Sequence, residues 1–287
     1  MGHLLITGAT GNVGSAVVRH LLLRGVQVVA AVRQLHGKDA LPTHPNLRRV
    51  AFDFADPATL STALAGAEAL FLMRPPQLAD VDRYFVPLLD LLRRHPVKHL
   101  VFLSVQGAEK SKLIPHYRIE AAIRERNLSF TILRPSYFMQ NLTTTLYPGI
   151  RERGTVAVPA GRAVFNWVDA DNVGEVAAVA LCDYAQRANR VLDVTGSENL
   201  TFPAALDRIN SVLDRPIRYR SVHPLAYLWH QRRRGVTWGN ALTVAAIHYL
   251  QRFQSEPVRS QVYTTLTGKE PTTLAAFARR ERRLLDA

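Results

Sequence analysis

The sequence predicts an α/β protein: a doubly wound parallel sheet followed by a smaller, mainly helical C-terminal domain. Three observations carry that expectation. Short apolar or β-branched runs alternate with helically spaced apolar residues through the first half of the 287-residue chain. Three closely spaced glycines stand between the first such run and the first helical stretch. After about residue 140 the alternation breaks, and glycines, prolines and helical patterns take over. The division expected is residues 1–150 for the sheet domain and 151–287 for a smaller substrate- or partner-binding lobe packed closely with it, with a crossing of the chain back to the sheet left open.

Each element has its own signal. Residues 4–7 form a short apolar run, and 13–23 carry apolar residues at helical spacing. Residues 26–32 and 50–53 are β-branched runs, with a helical remnant at 60–64 between 50–53 and the apolar run 69–73. Residues 81–94 place Phe85, Leu88, Leu89 and Leu92 on one helical face. A strand at 99–104, a helix at 117–126 and a strand at 130–133 follow. Continuous apolar runs suit strands covered on both faces, as in a parallel sheet with right-handed crossovers. Beyond 140, Gly149, Gly154, Pro159 and Gly161 mark turns around a short strand. A helix is expected over 170–184, opened by Asp169 or Asp171, then a strand at 191–194. Thr201 reads as the N-cap of a helix running through residue 213, and 217–222 as a strand.

Composition bounds the function classes. Apolar residues make up 47% and charged residues 21%, which describes a globular chain rather than a disordered one. The single cysteine, Cys182, has no internal partner for a disulfide. No apolar run reaches the roughly 18 residues of a membrane span. No basic stretch followed by a long apolar one opens the chain, so a cytoplasmic protein is expected. The formal charge is +13, but 31 of the 36 basic residues are arginine. The excess divides as +7 over residues 1–150 and +6 over 151–287. The arginine runs at 232–234 and 279–283 lie in or beside helical patterns and read as solvated faces. No helix-turn-helix, zinc or base-stacking motif accompanies them, so neither nucleic acid nor membrane is expected as a partner.

The sharpest motif is Gly8-Ala9-Thr10-Gly11-Asn12-Val13-Gly14, placed directly after a strand and before a helix. Gly8 suits the tight turn out of the strand. Gly11 removes a Cβ where backbone must approach a pyrophosphate, and Gly14 lets helix and strand pack closely. The N–H groups and positive end of the helix then face the phosphates. Arg33 stands nineteen residues after Gly14, at the end of the second strand. An acidic residue there would take the ribose 2′-hydroxyl of NAD; arginine suits the 2′-phosphate of NADP. Lys38 lies close behind. Asp53, ending the third strand, is placed to approach the adenine, with Phe54 beside it; Asp56, followed by Pro57, is the better helix cap. Histidines 20, 36, 44, 95 and 99 show no metal-ligand spacing, and Ser104 and Ser136 lack nucleophile-elbow glycines. Trp229 and Trp238, with Tyr227, Leu228, Leu242 and Tyr249, read as core or as the wall of an apolar pocket, core being favoured.

With these residues in view, the chain resembles the NmrA-like, atypical short-chain dehydrogenase/reductases. The resemblance rests on the glycine loop, on the stretches 99–105 and 130–141 (Phe130-Thr-Ile-Leu-Arg-Pro-Ser-Tyr-Phe-Met-Gln-Asn141), and on 167–172, with 192–196 and 267–277 fitting as well. It implies a Rossmann domain binding NADP(H) and an active cleft beside a small C-terminal domain. Carried over, Gly8 to Val13 would cradle the pyrophosphate and Arg33 the 2′-phosphate, and Asp53 and Phe54 would flank the adenine. Met73, Arg74 and Pro75 would line the cofactor, and Pro135, Ser136, Tyr137 and Phe138 would lie near the nicotinamide.

One departure matters. Ordinary short-chain dehydrogenases carry a Tyr-x-x-x-Lys proton relay. Here the matching places hold Lys112 and His116, and Tyr117 has Ala121 four residues on. His116 is the candidate catalytic residue, since an unperturbed histidine titrates near pH 6.5. Two functions stay open at this point. One is an NADP(H)-dependent reductase of a small, apolar, electron-poor aromatic acceptor such as a quinone, azo or triphenylmethane dye. The other is a non-catalytic NADP(H) redox sensor that binds a partner protein.

Overall fold

The computed structural model describes residues 2–35 and 41–286; Lys38 lies outside the described residues. The chain begins β1 (His3–Ile6), α1 (Asn12–Leu23), β2 (Val28–Val32), β3 (Leu47–Ala51), α2 (Pro57–Leu64) and β4 (Ala67–Met73). It continues α3 (Val81–Tyr84), α4 (Val86–Leu92), β5 (His99–Leu103), α5 (Pro115–Glu125), β6 (Phe130–Pro135) and β7 (Tyr137–Phe138). Next come α6 (Tyr147–Arg153), β8 (Thr155–Val158), β9 (Val164–Val168), α7 (Ala170–Cys182), α8 (Tyr184–Arg187) and β10 (Arg190–Val194). Last are β11 (Asn199–Thr201), α9 (Phe202–Asn210), β12 (Arg218–Ser221), α10 (Pro224–Arg233), α11 (Trp238–Leu250), α12 (Val262–Thr267), α13 (Leu274–Arg280) and α14 (Arg282–Leu285).

These elements form two compact units, and the division does not fall at residue 150. The first unit takes Met1–Pro135, Ala170–Val194 and Gln261–Lys269; the second takes Ser136–Asp169, Thr195–Ser260 and Glu270–Ala287. The chain re-enters the first unit because β10 pairs with β6 in parallel, adding a seventh strand. No contiguous cut of the sequence reproduces such an exchange.

The first unit holds a seven-stranded, all-parallel sheet in the order β3-β2-β1-β4-β5-β6-β10. The strand order reverses between β1 and β4. Ligands of doubly wound sheets bind beyond the carboxyl ends of the strands at that reversal. Strands β2 and β5 are buried along their whole length, in keeping with a sheet covered on both faces. The edge strand β3 is only half-buried and carries Arg48 and Arg49, charges that discourage edge pairing with another chain. A core of Leu5, Phe52, Leu70, Phe85, Leu88 and Phe102, among others, packs α2, α4 and α5 onto the sheet. Helices α1 and α7 meet so closely that a Cβ on Gly174 would lie 2.4 Å from that of Ala16.

Local chemistry explains most element ends. Asp56 caps α2 by accepting from the Ala58 N–H, with Pro57 in the first turn. Thr201 caps α9 by accepting from the Ala204 N–H. The single helix expected over 81–94 is instead two, divided at Phe85, with Pro87 opening α4. Proline has no N–H to bond back and its ring crowds the preceding turn. The third strand ends at Ala51, so Asp53 lies in the turn beyond it. Both acidic candidates at the start of α7 are engaged by other side chains. Asp171 is paired with Arg19 and His20 of α1, and Asp169 accepts from Gln140 and Arg280.

The second unit contains a three-stranded sheet in the order β11-β9-β7 and a parallel pair β12-β8. Its core gathers Trp167, Phe165, Phe202, Ile209 and Phe277, with Tyr227. The expectation that Trp229, Trp238 and Leu242 belong to the core does not hold. All three are more than half exposed, on the outer faces of α10 and α11. Spacing shows that residues share a face; it does not show which face turns inward. Among the described residues, no helix is long and apolar enough to cross a membrane.

Candidate cofactor and active site

In the first unit, parallel strands bring Gly8–Gly14, Arg33, Asp53, Met73–Pro75, Ser104 and Pro135 to one edge of the sheet, the carboxyl edge. The loop after β1 is tied to the end of β4 by one side chain. Thr7 Oγ1 donates to the Phe71 carbonyl at 3.0 Å and accepts from the Met73 N–H at 2.9 Å. Gly8 adopts φ +61°, and a Cβ there would strike the Met73 side chain at 2.5 Å. Gly14 has no room either: its Cβ would stand 2.0 Å from the Gly8 carbonyl oxygen. Gly11 differs, since its Cβ would meet protein only at the Gly8 carbonyl oxygen, 3.3 Å away.

This arrangement fits a dinucleotide pyrophosphate. Helix α1 begins at Gly11 in extended conformation, with no side chain capping its first N–H groups and no acidic residue in its first turn. Three turns of helix therefore present a positive end that the protein itself does not neutralise. The open side of Gly11 is the place where a Cβ would obstruct an approaching phosphate.

Arg33 sits just past the end of β2, exposed, with no ion-pair partner among the described residues. Asp53 is exposed in the turn after β3, and its Oδ1 accepts from the Ala55 N–H at 2.9 Å. Phe54 departs from expectation. Its ring is buried against Phe52 at 4.9 Å and Phe85 at 5.1 Å, so its side chain serves the core. Met73 lies against the glycine loop. Arg74 folds back to donate from one terminal nitrogen to the carbonyls of Pro75, Pro76 and Leu78, at 3.0–3.2 Å. It thereby shapes the loop after β4. Its Nε is buried and has no partner among the described residues, a donor that an oxygen of a bound molecule would satisfy.

His116 lies in the first turn of α5, its ring 6.3 Å from that of Phe102. Burial first, and the Arg74 charge second, push its pKa down to about 4. The positive end of α5 acts in the same sense. The imidazole is therefore neutral at pH 7, and the expected role as an imidazolium proton donor at neutral pH is not supported. It can offer one N–H as a hydrogen-bond donor.

The strand β6 leads from Pro135 in the first unit to Ser136, Tyr137 and Phe138 in the second. Ser136 Oγ donates to Asn166 Oδ1 at 2.6 Å. Tyr137 is locked among Phe165, Trp167 and Phe202 and donates its hydroxyl proton to His248 Nε2 at 2.9 Å, because His248 Nδ1 donates to the Val244 carbonyl. Its ring is partly buried and packs against the core of the second unit. Phe138 is half-buried.

A family model of the NmrA-like family matches residues 2–276. The chain belongs to the NmrA-like family. Among its curated relatives, this NmrA-like chain is 27% identical to prestalk A differentiation protein A of Dictyostelium discoideum, over 96% of this chain and 91% of that protein. It is 28% identical to the NAD(P)H azoreductase of Xenophilus azovorans, over 76% and 77% of the two chains. The fold is similar to that of the Citrobacter sp. triphenylmethane reductase crystallised with NADP(H), with a TM-score of 0.82 and 21% identity over 97% and 99% of the chains.

Two groups in this NmrA-like chain escaped the sequence reading. Glu120 is buried behind the carboxyl edge and takes Ser104 Oγ at 2.6 Å, with Arg134 bound through both Nε and a terminal nitrogen at 3.0 and 2.6 Å. Burial raises its pKa, but Arg134 and Ser104 outweigh this and hold the carboxyl below its ordinary value. The cluster ties the ends of β5 and β6 to α5, the helix that carries His116. Asn166 does similar work in the second unit, accepting from Ser136 and the Gly196 N–H and donating to the Gly196 carbonyl and Asn199. The Arg-Pro pair at 134–135 and the Asn at 166 are ordinary residue types, and nothing in their spacing announced the pairing.

Proposed function

We propose that this chain is an NADP(H)-dependent oxidoreductase that delivers hydride to a small, apolar, electron-poor aromatic acceptor of the quinone, azo or triphenylmethane dye type. The observation that carries the reading is the uncapped N-terminus of α1, opened by Gly11 and held against β4 by Thr7. Support for the acceptor class comes from the azoreductase and triphenylmethane reductase to which the chain is similar.

The bound cofactor supplies the hydride. The protein's own part is binding and orientation. The first N–H groups of α1 take the pyrophosphate, and Arg33 takes the 2′-phosphate, which favours NADP(H) over NAD(H). Met73, Arg74 and Pro75 bound the site along β4. Neutral His116 offers a hydrogen bond, and the proton that follows hydride comes from water. Position is sufficient for an acceptor whose own electron deficiency makes it reactive.

A second reading has its own observation. The Tyr-x-x-x-Lys places hold Lys112 and a neutral His116, which suits an NADP(H)-binding sensor with a protein partner as well as it suits a reductase. The deciding experiment combines calorimetric titration with NADPH and a turnover assay over quinones, azo dyes and triphenylmethane dyes. Tight NADPH binding with turnover of at least one acceptor supports the reductase. Tight binding with every acceptor inert favours the sensor. Absence of NADPH binding overturns both.

A further inference from the structure

Helix α11 is apolar on both sides, and its bulkiest residues point outward. Its buried stripe is Ala241, Ala245 and His248, while Trp238, Leu242, Ala246 and Leu250 form an exposed stripe at four-residue spacing, continued by Phe253. A helix apolar all round belongs in a core or against a second surface. Helix α10 packs beside it, joined through Gly235, and turns Leu225 and Trp229 outward at the same spacing. Leu225, Trp229, Trp238, Leu242, Leu250 and Phe253 are each more than half exposed.

The charge of this segment is as unusual as its apolar face. Residues 215–255 contain seven arginines and no aspartate or glutamate. The +6 excess of residues 151–287 is thus concentrated here, since the rest of that half carries 12 basic and 13 acidic residues. Arg234 is paired with Glu152, but three other guanidinium groups lie over aromatic rings. Arg233 stands 3.9 Å from the Trp229 ring centre, Arg232 5.2 Å from Trp238 and Arg252 5.3 Å from Tyr249. Indole rings flanked by arginine, set in a band of leucine and phenylalanine, match the chemistry of a bilayer interface. There the apolar face enters the acyl boundary while the cations meet lipid phosphates.

We propose that the α10–α11 hairpin docks the protein onto an anionic lipid surface. The helices lie on the membrane rather than across it, since α11 has 13 residues and a span needs roughly 20. Charge complementarity selects this occupant. A second copy related by a twofold axis would set the same arginines against each other with no acidic residue in the segment to pair them. Nucleic acid would gain nothing from Leu242, Leu250 or Phe253, and Arg233 already covers a face of Trp229.

The full chain is tested by co-sedimentation with two kinds of vesicle, phosphatidylcholine alone and an equimolar mixture with phosphatidylglycerol. Tryptophan emission is recorded in parallel. Of the three tryptophans, Trp167 is buried, so an emission shift on adding vesicles reports Trp229 and Trp238. The expected result is binding to the mixed vesicles with a blue shift, weak binding to phosphatidylcholine, and release by salt. Trp229→Ser with Trp238→Ser should abolish co-sedimentation with the mixed vesicles. Arg232→Gln and Arg233→Gln should each weaken binding about fivefold, the value of one interfacial charge. These positions are exposed, and circular dichroism verifies that the variants fold. No binding to the mixed vesicles, or binding unchanged in the folded variants, overturns the proposal. So does a dimer that the same substitutions dissolve, or capture of a single-stranded oligonucleotide in place of vesicles.

Discussion

At the scale of single residues, the site is defined by what one glycine and one arginine leave open. Gly11 and Gly14 look equivalent in the sequence, yet only Gly14 is enclosed by protein. Gly11→Val should leave a folded protein that binds neither NADPH nor NADH, because the added side chain fills the place of the phosphate. Gly14→Ala should cost roughly 1–3 kcal/mol of stability through overpacking, seen as a lower urea midpoint. Normal calorimetric binding by a folded Gly11→Val protein would remove the dinucleotide reading. Arg33→Ala should weaken NADPH binding by roughly 1.5–3 kcal/mol, the loss of a charged hydrogen bond, and leave NADH binding nearly unchanged. Equal losses for both would show that Arg33 does not meet the 2′-phosphate. His116, neutral with a pKa near 4, gives turnover no dependence on pH between 6 and 8 through its own titration. A rate that falls as pH rises through neutrality, and loses that fall in His116→Asn, would restore the imidazolium donor.

At the scale of elements, most features follow from local rules, and the exceptions come from neighbours. Asp56 and Thr201 cap the helices that their sequence context announces. Phe85 keeps its helical spacing to Leu88, Leu89 and Leu92, but Pro87 divides the helix without disturbing the shared buried face. Helix α7 shows the opposite case. Its Ala/Val-rich sequence was legible, whereas the function of Gly174 depends on α1 passing over it. Gly174→Val should force α1 and α7 apart, with a cost at or above the roughly 1–3 kcal/mol of ordinary overpacking. An unchanged urea midpoint would show that the crossing relaxes freely. The hairpin α10–α11 belongs here too: its pattern marks one apolar stripe per helix, and only the fold shows that the large side chains are on the outer one.

At the scale of the molecule, three neutral histidines set the response to acid. His99 sits between Ser129 and Thr131 and stacks on Tyr184, His116 lies in the first turn of α5, and His248 holds Tyr137. Burial pushes each of them down to about 4. The unfolded chain takes up these protons near pH 6.5, before the folded chain does. Stability is therefore full above about pH 6.5 and is lost as pH falls toward 4. Below about pH 4.5 the carboxylates held low by ion pairs, Glu120 and Asp171 among them, extend the loss. Urea midpoints measured from pH 8 to pH 4 should fall steadily below 6.5. A flat profile across that window would mean that the histidines are not held neutral.

The sequence by itself determined the layered α/β fold, the glycine loop, the position of Arg33 and the family. Each of these depends on residues adjacent in the chain: apolar runs, a strand–loop–helix junction, a fixed spacing from one strand end to the next. The tertiary structure decided what depends on contacts between distant residues. It placed Phe54 in the core and packed Tyr137 against a second one, lowered the pKa of His116 through burial and Arg74, and brought Glu120 together with Arg134 and Ser104. It also returned residues 170–194 to the first unit as the cover and seventh strand of its sheet. The reason is the same throughout: a pattern along the chain states which residues share a face, while burial, pKa and partnership are set by what the fold places against that face.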